Sequence, residues 1–458
     1  MLTFLYRLGW AAARPFAAPL SFAGGKLGRA IRGRRGSVPT LAAWAARERR
    51  AGAPLVWFHA ASVGEGRQAE AVLRRVRAAR PLWQLAYTYS SPSAERLAAS
   101  LPVDVATYVP FDTVRDVAAA LAALRPTAIV FSATDIWPEL ARQAAARGVA
   151  LGLVSGTLPP SSSRRGALAR RLLGPAYAAL DAVGAIDELD AHELRWLGVA
   201  TERVTVTGDT RHDSALARLA AADRAAPHLE AVTAGAGAAP ILLAGSTWPS
   251  DEAVLLPALG LLRQGRLPVR LVIAPHEPTP SRLEALERRI RRHLGPDVAV
   301  VRLSSLLAAA DSEPLPTRDS ASRNSEGSSG NRDVVLVDQV GILAELYLAA
   351  SAAYVGGGFH AAGLHSVIEP AAAGVPVLFG PRHESSRDAR LLLHAGGARM
   401  VSSISQLAAQ LNAWLVDETA RAAAGAAARA VVERGKGAAD RSLQLVIALV
   451  ESSLHPTP

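Results

Sequence analysis

From Leu55 onward, short apolar runs alternate with longer stretches of helical periodicity, the pattern left by parallel sheets covered by helices on both faces. The runs Pro54 to His59, Leu85 to Thr88, Thr127 to Ser132 and Ala150 to Ser155 predict strands of a first half, which Val183 to Ile186 and Val204 to Thr207 extend. A second series opens at Ile241 to Ala244 and continues with Val269 to Ala274, Val298 to Val301, Val334 to Val337, Ala352 to Val355 and Val375 to Phe379. The polar, alanine-rich stretch 214–238 reads as the join, and the two halves show no internal repeat. Residues 311–333, rich in Ser, Asp, Arg and Gly, read as a disordered surface insertion without chemistry.

The first 25 residues break the pattern. They are apolar but interrupted by Arg7 and Arg14, so no uncharged run reaches the ~18 residues that a spanning helix needs. Seven positions apart on a helix, the two arginines fall within about 20° of one face. Thr3 and Ser21 lie near that face, and Leu2, Leu5, Leu8, Trp10 and Phe16 are left for lipid. Residues 1–35 are therefore expected to form an anchor in or shallowly below the membrane surface, kinked at Pro15 and Pro19, with the polybasic run 26–35 on anionic headgroups. A signal peptide would carry its charge ahead of one continuous apolar core.

Charge sharpens this. The 458-residue chain carries a net +10. Residues 1–50 hold Arg7, Arg14, Lys26, Arg29, Arg32, Arg34, Arg35, Arg47, Arg49 and Arg50 against the single acid Glu48, so nearly all of the excess sits there. The remainder is close to neutral, which speaks against a phosphate-tracking surface and hence against nucleic acid as a partner. Half of the residues are apolar and there is no cysteine, so a folded protein of about two domains is expected, without disulfides, thiolate metal sites or cysteine nucleophiles. The domains are expected at 36–220 and 221–458, after the anchor.

In open α/β sheets ligands bind where strands end and helices begin. Five such loops stand out. In Trp57-Phe-His-Ala-Ala-Ser-Val-Gly-Glu-Gly-Arg67, Gly64 and Gly66 suggest a sharp turn, and Glu65 lies near a helix start, where a carboxylate suits a base toward a sugar hydroxyl. The plainer reading is an acid that only offsets the helix dipole. In Tyr108-Val-Pro-Phe-Asp112 and Ser132-Ala-Thr-Asp-Ile-Trp-Pro138, Asp135 ends a strand and Pro138 suits a first helical turn, so capping accounts for both without function. Ala244-Gly-Ser-Thr247 can hold a phosphate through Ser246 and Thr247, or be a plain helix cap. Ala274-Pro-His-Glu-Pro278 places His276 after a buried strand.

The fifth loop is the most informative. The segment Tyr354-Val-Gly-Gly-Gly-Phe-His-Ala-Ala-Gly-Leu-His-Ser-Val-Ile-Glu-Pro370 offers Gly357 and Gly358 for close approach of an anion. Gly363, His365 and Ser366 precede a short helix whose N–H groups can take a phosphate or carboxylate, and Glu369 can accept both hydroxyls of a ribose. No Asp-x-Asp pair offers a metal clamp for a sugar diphosphate.

Taken in order, Ser62-Val-Gly-Glu65-Gly-Arg67, Tyr108-Val-Pro-Phe-Asp112, Val206-Thr-Gly208, Ala244-Gly-Ser-Thr247, His365 to Glu369-Pro, and Pro376-Val-Leu-Phe-Gly-Pro381 resemble the transferases of 3-deoxy-D-manno-octulosonic acid (Kdo) in lipopolysaccharide synthesis. The Leu-Tyr-Arg opening before an apolar stretch is similar to that family's anchor. The resemblance implies a GT-B fold, two Rossmann-like domains facing across a cleft, and a metal-independent enzyme without cofactor at the cytoplasmic face of the inner membrane. It would transfer Kdo from CMP-Kdo to a lipid A precursor. Glu65 then matches the catalytic base, with Ser62, Gly64, Arg67 and Asp135 on the acceptor side. The donor side comprises Arg211, Ser246, Thr247, His276, Gly357, Gly358, Gly363, His365, Ser366 and Glu369.

There are departures from the family pattern. Ala133-Thr-Asp135-Ile-Trp-Pro stands where many members have Glu-x-Glu-Leu-Trp-Pro, Ser366 replaces an Asn, and an Arg common in the fourth loop is missing, with His276 nearby. Asp209-Thr-Arg211-His-Asp213 replaces Asn-x-Lys-Phe-Asp. The alternatives are a related GT-B enzyme using another nucleotide sugar, such as an N-acetylglucosamine transferase, and a non-catalytic relative that binds lipid or protein. Retention of Glu65 and Glu369 argues against the latter.

Overall fold

The computed structural model describes residues 2–22, 24–159, 162–234, 236–237, 239–265, 267–312 and 333–455. Apart from its ends, the insertion expected at 311–333 lies outside them. The chain forms two compact units, Met1–Ser214 with Gly435–Pro458, and Ala215–Arg434.

The first unit is built on seven strands: β1 (Leu55–His59), β2 (Gln84–Tyr89), β3 (Val105–Tyr108), β4 (Ala128–Ser132), β5 (Ala150–Gly156), β6 (Ala182–Ala185) and β7 (Val204–Val206). Their order is β3-β2-β1-β4-β5-β6-β7, with every neighbour parallel. Both faces are covered, which is why the strands read as continuous apolar runs. Trp57, Ile129 and Phe131 pack into one core and Phe58, Val130 and Val154 into the other.

The second unit repeats the scheme with β8 (Ile241–Thr247), β9 (Arg270–Pro275), β10 (Val300–Arg302), β11 (Val334–Leu336), β12 (Ala352–Val355), β13 (Val377–Phe379) and β14 (Ala398–Met400). Their order is β10-β11-β9-β8-β12-β13-β14, again all parallel. Leu242, Ile273 and Tyr354 lie on one face, Leu243, Val272 and Ala353 on the other. Each unit is thus a doubly wound, Rossmann-like sheet.

Three expectations about the chain ends change. Helix Ala438–Leu454 belongs to the first unit, although the sequence placed it with the second half. Its Val446, Leu449 and Val450 share a core with Phe58 and Val130, so apolar packing overrides sequence proximity.

The boundary at 35 also dissolves, because one helix runs from Gly25 to Glu48. Ser37, Leu41 and Trp44 are buried, and a Cβ on Gly33 would sit 2.2 Å from the Tyr108 ring. The run 26–35 is therefore the first half of a helix packed on the first unit.

Ahead of it lie helix Leu2–Ala13, a 3₁₀ turn Arg14–Phe16 containing Pro15, and the short helix Ala17–Leu20 containing Pro19. Arg7 and Arg14 do share a role, on the protein side. Arg7 grips Glu139, itself 1% exposed, at 2.9 Å, and Arg14 pairs with Asp116 at 2.9 Å. Trp10, assigned to lipid from its spacing, instead packs against Phe111 and Trp137. Among the described residues, no helix is long and apolar enough to cross a membrane.

Candidate active site

A doubly wound sheet opens a crevice where strand order reverses, because the two flanking loops leave in opposite directions. In the first sheet this point lies between β1 and β4. The connection after β1 leads to Glu65 in the first turn of the next helix, and the loop after β4 carries Asp135.

Glu65 is the third residue of helix Val63–Ala79. Its Oε2 accepts the Ser62 N–H at 3.0 Å, and its own N–H reaches Ser62 Oγ at 3.5 Å. This is a capping box, so the plainer reading of Glu65 is realised in the structure. It does not bury the carboxylate completely: Glu65 is half-buried. Burial, then the nearby charge of Asp135, pushes the Glu65 carboxyl above its ordinary range, while His59 and the backbone N–H groups of Ser62 and Ala61 hold it down. A more basic carboxylate is what proton abstraction from a hydroxyl calls for.

His59, Trp137 and Arg164, which sequence reasoning did not single out for the site, order the surroundings together with the expected Asp135. His59 is fully buried between Thr88 Oγ1, 3.0 Å from Nδ1, and Trp137 Nε1, 2.9 Å from Nε2. Asp135 bonds Arg164 at 2.9 Å. Burial would raise its carboxyl, but the facing His59 and the charges of Arg164 and Arg34 outweigh that and hold it below the usual range. The Arg34 guanidinium stacks over Trp137 at 4.5 Å and Phe111 at 5.0 Å, and burial lowers it to about 10. Asp112 accepts N–H bonds from Glu139 and Leu140, at the start of helix Pro138–Ala145, at 2.8 and 2.9 Å, and the Tyr6 hydroxyl at 2.7 Å.

The two glycines do not make the sharp turn their sequence suggests. Both lie within helix 63–79; a Cβ on Gly64 would meet nothing nearer than Ser62 Oγ at 4.0 Å, whereas one on Gly66 would meet Leu97 at 2.6 Å. Gly66 is there for packing. Arg67 is engaged by Glu70 at 2.6 Å.

In the second unit the order reverses between β8 and β12. There the structure gathers Ser246, Thr247, His276, Gly357, Gly358, Gly363, His365, Ser366 and Glu369 around loops that follow β8, β9 and β12. Two residues missed in the sequence organise them. Asp251, fully buried, accepts the N–H groups of Trp248 (2.9 Å), Gly357 (2.8 Å) and Phe359 (3.2 Å) and the Tyr354 hydroxyl (3.2 Å). Trp248 stacks on His360 at 3.9 Å and on His276 at 4.7 Å, and donates to His365 Nε2 at 3.0 Å. Burial, then the neighbouring His276, lowers His365 to about 4, so at neutral pH it is an acceptor, not a cation.

The glycine turn has a packing cause. A Cβ on Gly356 would lie 2.2 Å from Ser246 O, on Gly357 2.1 Å from Gly363 O, and on Gly358 2.4 Å from Gly380 N. Gly357 also has φ +93°, and Ser246 stands in the left-handed region at φ +55°, a strained conformation for serine. Thr247 Oγ1 is turned inward to Glu252 at 3.0 Å. The helix expected to bind an anion is only Ile368–Ala372, too short for a useful dipole. Half-exposed Glu369 accepts the Ser366 hydroxyl at 2.5 Å.

Arg211 is not part of the second unit. It lies in the first unit, clamped on buried Asp209, whose carboxyl is held well below its usual range by that guanidinium despite burial. The cation tied to the glycine turn is instead Arg382, whose N–H donates to Gly358 O at 2.9 Å and whose side chain is exposed. Its place after Phe379-Gly-Pro381 was the available signal.

Residues 30–214 match the family model of 3-deoxy-D-manno-octulosonic-acid transferase (kdotransferase). Over 407 residues the chain is 30% identical to the 3-deoxy-D-manno-octulosonic acid transferase of Bordetella pertussis, covering 86% of this chain and 88% of that one. The transferase of the same name from Chlamydophila psittaci is 28% identical over 352 residues, 75% of this chain and 73% of that one. Among solved structures, UDP-GlcNAc 2-epimerase of Neisseria meningitidis matches with a TM-score of 0.55 at 13% identity, over 87% of this chain and 99% of that chain. MurG of Acinetobacter baumannii matches with 0.51 at 13%, over 86% and 99%.

These likenesses define the class, a two-unit, doubly wound α/β protein of GT-B-like build. The chain belongs to the Kdo transferase family and is a glycosyltransferase.

Proposed function

We propose that the chain transfers Kdo from CMP-Kdo to a lipid A precursor, lipid IVA, in lipopolysaccharide biosynthesis, at the cytoplasmic face of the inner membrane. The observation that carries the chemistry is Glu65, a carboxylate of raised basicity at the reversal point of the first sheet. As the acceptor oxygen bonds to the anomeric carbon of Kdo, Glu65 takes its proton and the bond to the CMP phosphate breaks, with inversion. The second unit holds the donor: Glu369 takes the ribose hydroxyls and Arg382 offers charge to the phosphate without a metal.

Membrane attachment is supported by side chains rather than by a spanning helix. With Arg7 and Arg14 turned to the protein, Phe4, Leu5, Leu8, Phe16, Leu20 and Phe22 are left exposed, so the segment lies on the surface of the bilayer. The test is incubation of the full chain with lipid IVA and either CMP-Kdo or UDP-GlcNAc, with and without excess EDTA, and the product read by mass. A Kdo adduct formed in EDTA is expected. An N-acetylglucosamine adduct overturns the donor, and loss in EDTA restored by magnesium overturns metal independence.

A further inference from the structure

Within the first unit, residues 14–18, the middle of helix Gly25–Glu48 and the first turn of helix Val114–Leu124 enclose a cavity of about 490 Å³. Its wall carries Arg14, Arg34, Arg35 and Arg115 against one acid, Asp116, with Phe111 among the apolar remainder. Asp116 is taken up by Arg14 through two bonds, at 2.9 and 3.1 Å. Among the described residues Arg35 hydrogen-bonds only a hydroxyl, Ser21 Oγ at 2.9 Å. Arg34 donates to Pro110 O at 2.9 Å, and its Nε–H is buried without a partner. Arg115 makes no side-chain hydrogen bond or ion pair among the described residues. Arg35 and Arg115, both exposed, therefore line the recess without an acidic partner among the described residues, whereas Arg34 is half-buried near Asp112 and Asp135; the wall keeps an excess of positive charge that an anion would offset.

The size says which kind of anion. The volume falls in the range of about 300–1,000 Å³ that takes organic ligands, more than a lone phosphate fills. The segment that supplies Arg14 to the wall also turns Phe16 and Phe22 outward, 63% and 86% exposed.

We propose that this cavity binds the phosphate-bearing headgroup of an anionic lipid, whose acyl chains lie along Phe16 and Phe22. The proposal rests on the reading of residues 2–22 as a membrane-surface segment. Glu65, His59 and Asp135 do not line the cavity, so the lipid is a bound ligand and not the acceptor.

The experiment is calorimetric titration of the full chain with monomeric dihexanoyl phosphatidic acid, with inorganic phosphate and dihexanoyl phosphatidylcholine run separately. Saturable binding of phosphatidic acid is expected, at least tenfold tighter than either comparison ligand. Arg115→Glu, at an exposed and unbonded position, weakens it at least tenfold with the melting temperature unchanged. Absence of binding, insensitivity to Arg115→Glu, or equal affinity for inorganic phosphate overturns the headgroup assignment. Sedimentation of the wild type with phosphatidylcholine vesicles tests the membrane reading separately, since that lipid has no net charge.

Discussion

Trp137 donates its indole N–H to His59 Nε2 at 2.9 Å, and this bond fixes the imidazole tautomer. An indole nitrogen can only donate, so in the neutral ring Nε2 accepts and the proton is carried by Nδ1, facing Thr88. That hydroxyl oxygen also accepts from Trp57 at 2.8 Å. Asp135 Oδ2 lies 3.9 Å from Nε2, an approach too long for a hydrogen bond to a nitrogen already in use. Asp135 therefore takes its hydrogen bond from Arg164, and His59 bears on it, as on Glu65, through space.

Glu65→Gln is expected to lower turnover by roughly 10²-fold or more, because an amide cannot accept the proton. The amide oxygen can still receive the Ser62 N–H, so the melting temperature moves little. Turnover and melting measured on the same variant separate base from cap. Near-normal turnover in a destabilised protein removes Glu65 from the mechanism.

Asp135→Asn is expected to shift the acidic limb of the kcat/KM profile to lower pH. The Asp135 anion disfavours a second anion at Glu65 and raises its carboxyl. Removing that charge lets Glu65 stay ionised, and so competent as a base, in more acid solution. A limb that stays in place or moves upward shows that Glu65 does not set it.

Asp251→Ala strips three N–H groups and one hydroxyl of their acceptor in the second unit. Bonds to a buried charge are worth roughly 1.5–3 kcal/mol each, so a loss above about 3 kcal/mol in unfolding free energy is expected. CMP affinity, read by calorimetry at a temperature where the variant is folded, should fall as well. Intact affinity makes Asp251 a stabiliser only.

Glu369→Ala should weaken CMP binding by roughly 1.5–3 kcal/mol for each ribose hydroxyl released. Deoxycytidine monophosphate should then bind wild type and variant with a smaller difference than CMP does. Equal differences for the two nucleotides make Glu369 structural, a partner for Ser366.

Deleting residues 2–22 should release the protein from vesicles with the first unit folded, because the deleted residues contribute few buried side chains. Deleting through residue 48 removes Leu41 and Trp44 from the core and should leave the first unit unfolded by circular dichroism. A soluble, folded product of the longer deletion contradicts the packing of helix 25–48.

Most strands were legible because burial on both faces writes itself as an apolar run of strand length. Val105–Tyr108 and Ala398–Met400 were not: each lies at an edge of its sheet, and the latter is three residues long with Arg399 and Met400 exposed. Glu65 and Glu369 were legible as loop acids, but Asp251, His59 and Glu139 were not. Each acts through partners distant in sequence, such as Gly357 for Asp251 and Arg7 for Glu139. Spacing carries no trace of such contacts. Trp10 was misread for the same reason: its ring faces Phe111 and Trp137, more than a hundred positions away.

The placement of helix 438–454 in the first unit makes that unit discontinuous. Asp213 takes the N–H groups of Gly437 and Ala439 at 2.8 and 2.9 Å, joining the place where the chain leaves the unit to the place where it returns. A ribosome that has delivered all seven strands of the first sheet has not yet delivered Val446, Leu449 and Val450, which close the core around Phe58 and Val130. The half synthesised first is therefore the half completed last, and its unfinished apolar face must wait through the synthesis of some two hundred residues of the other unit.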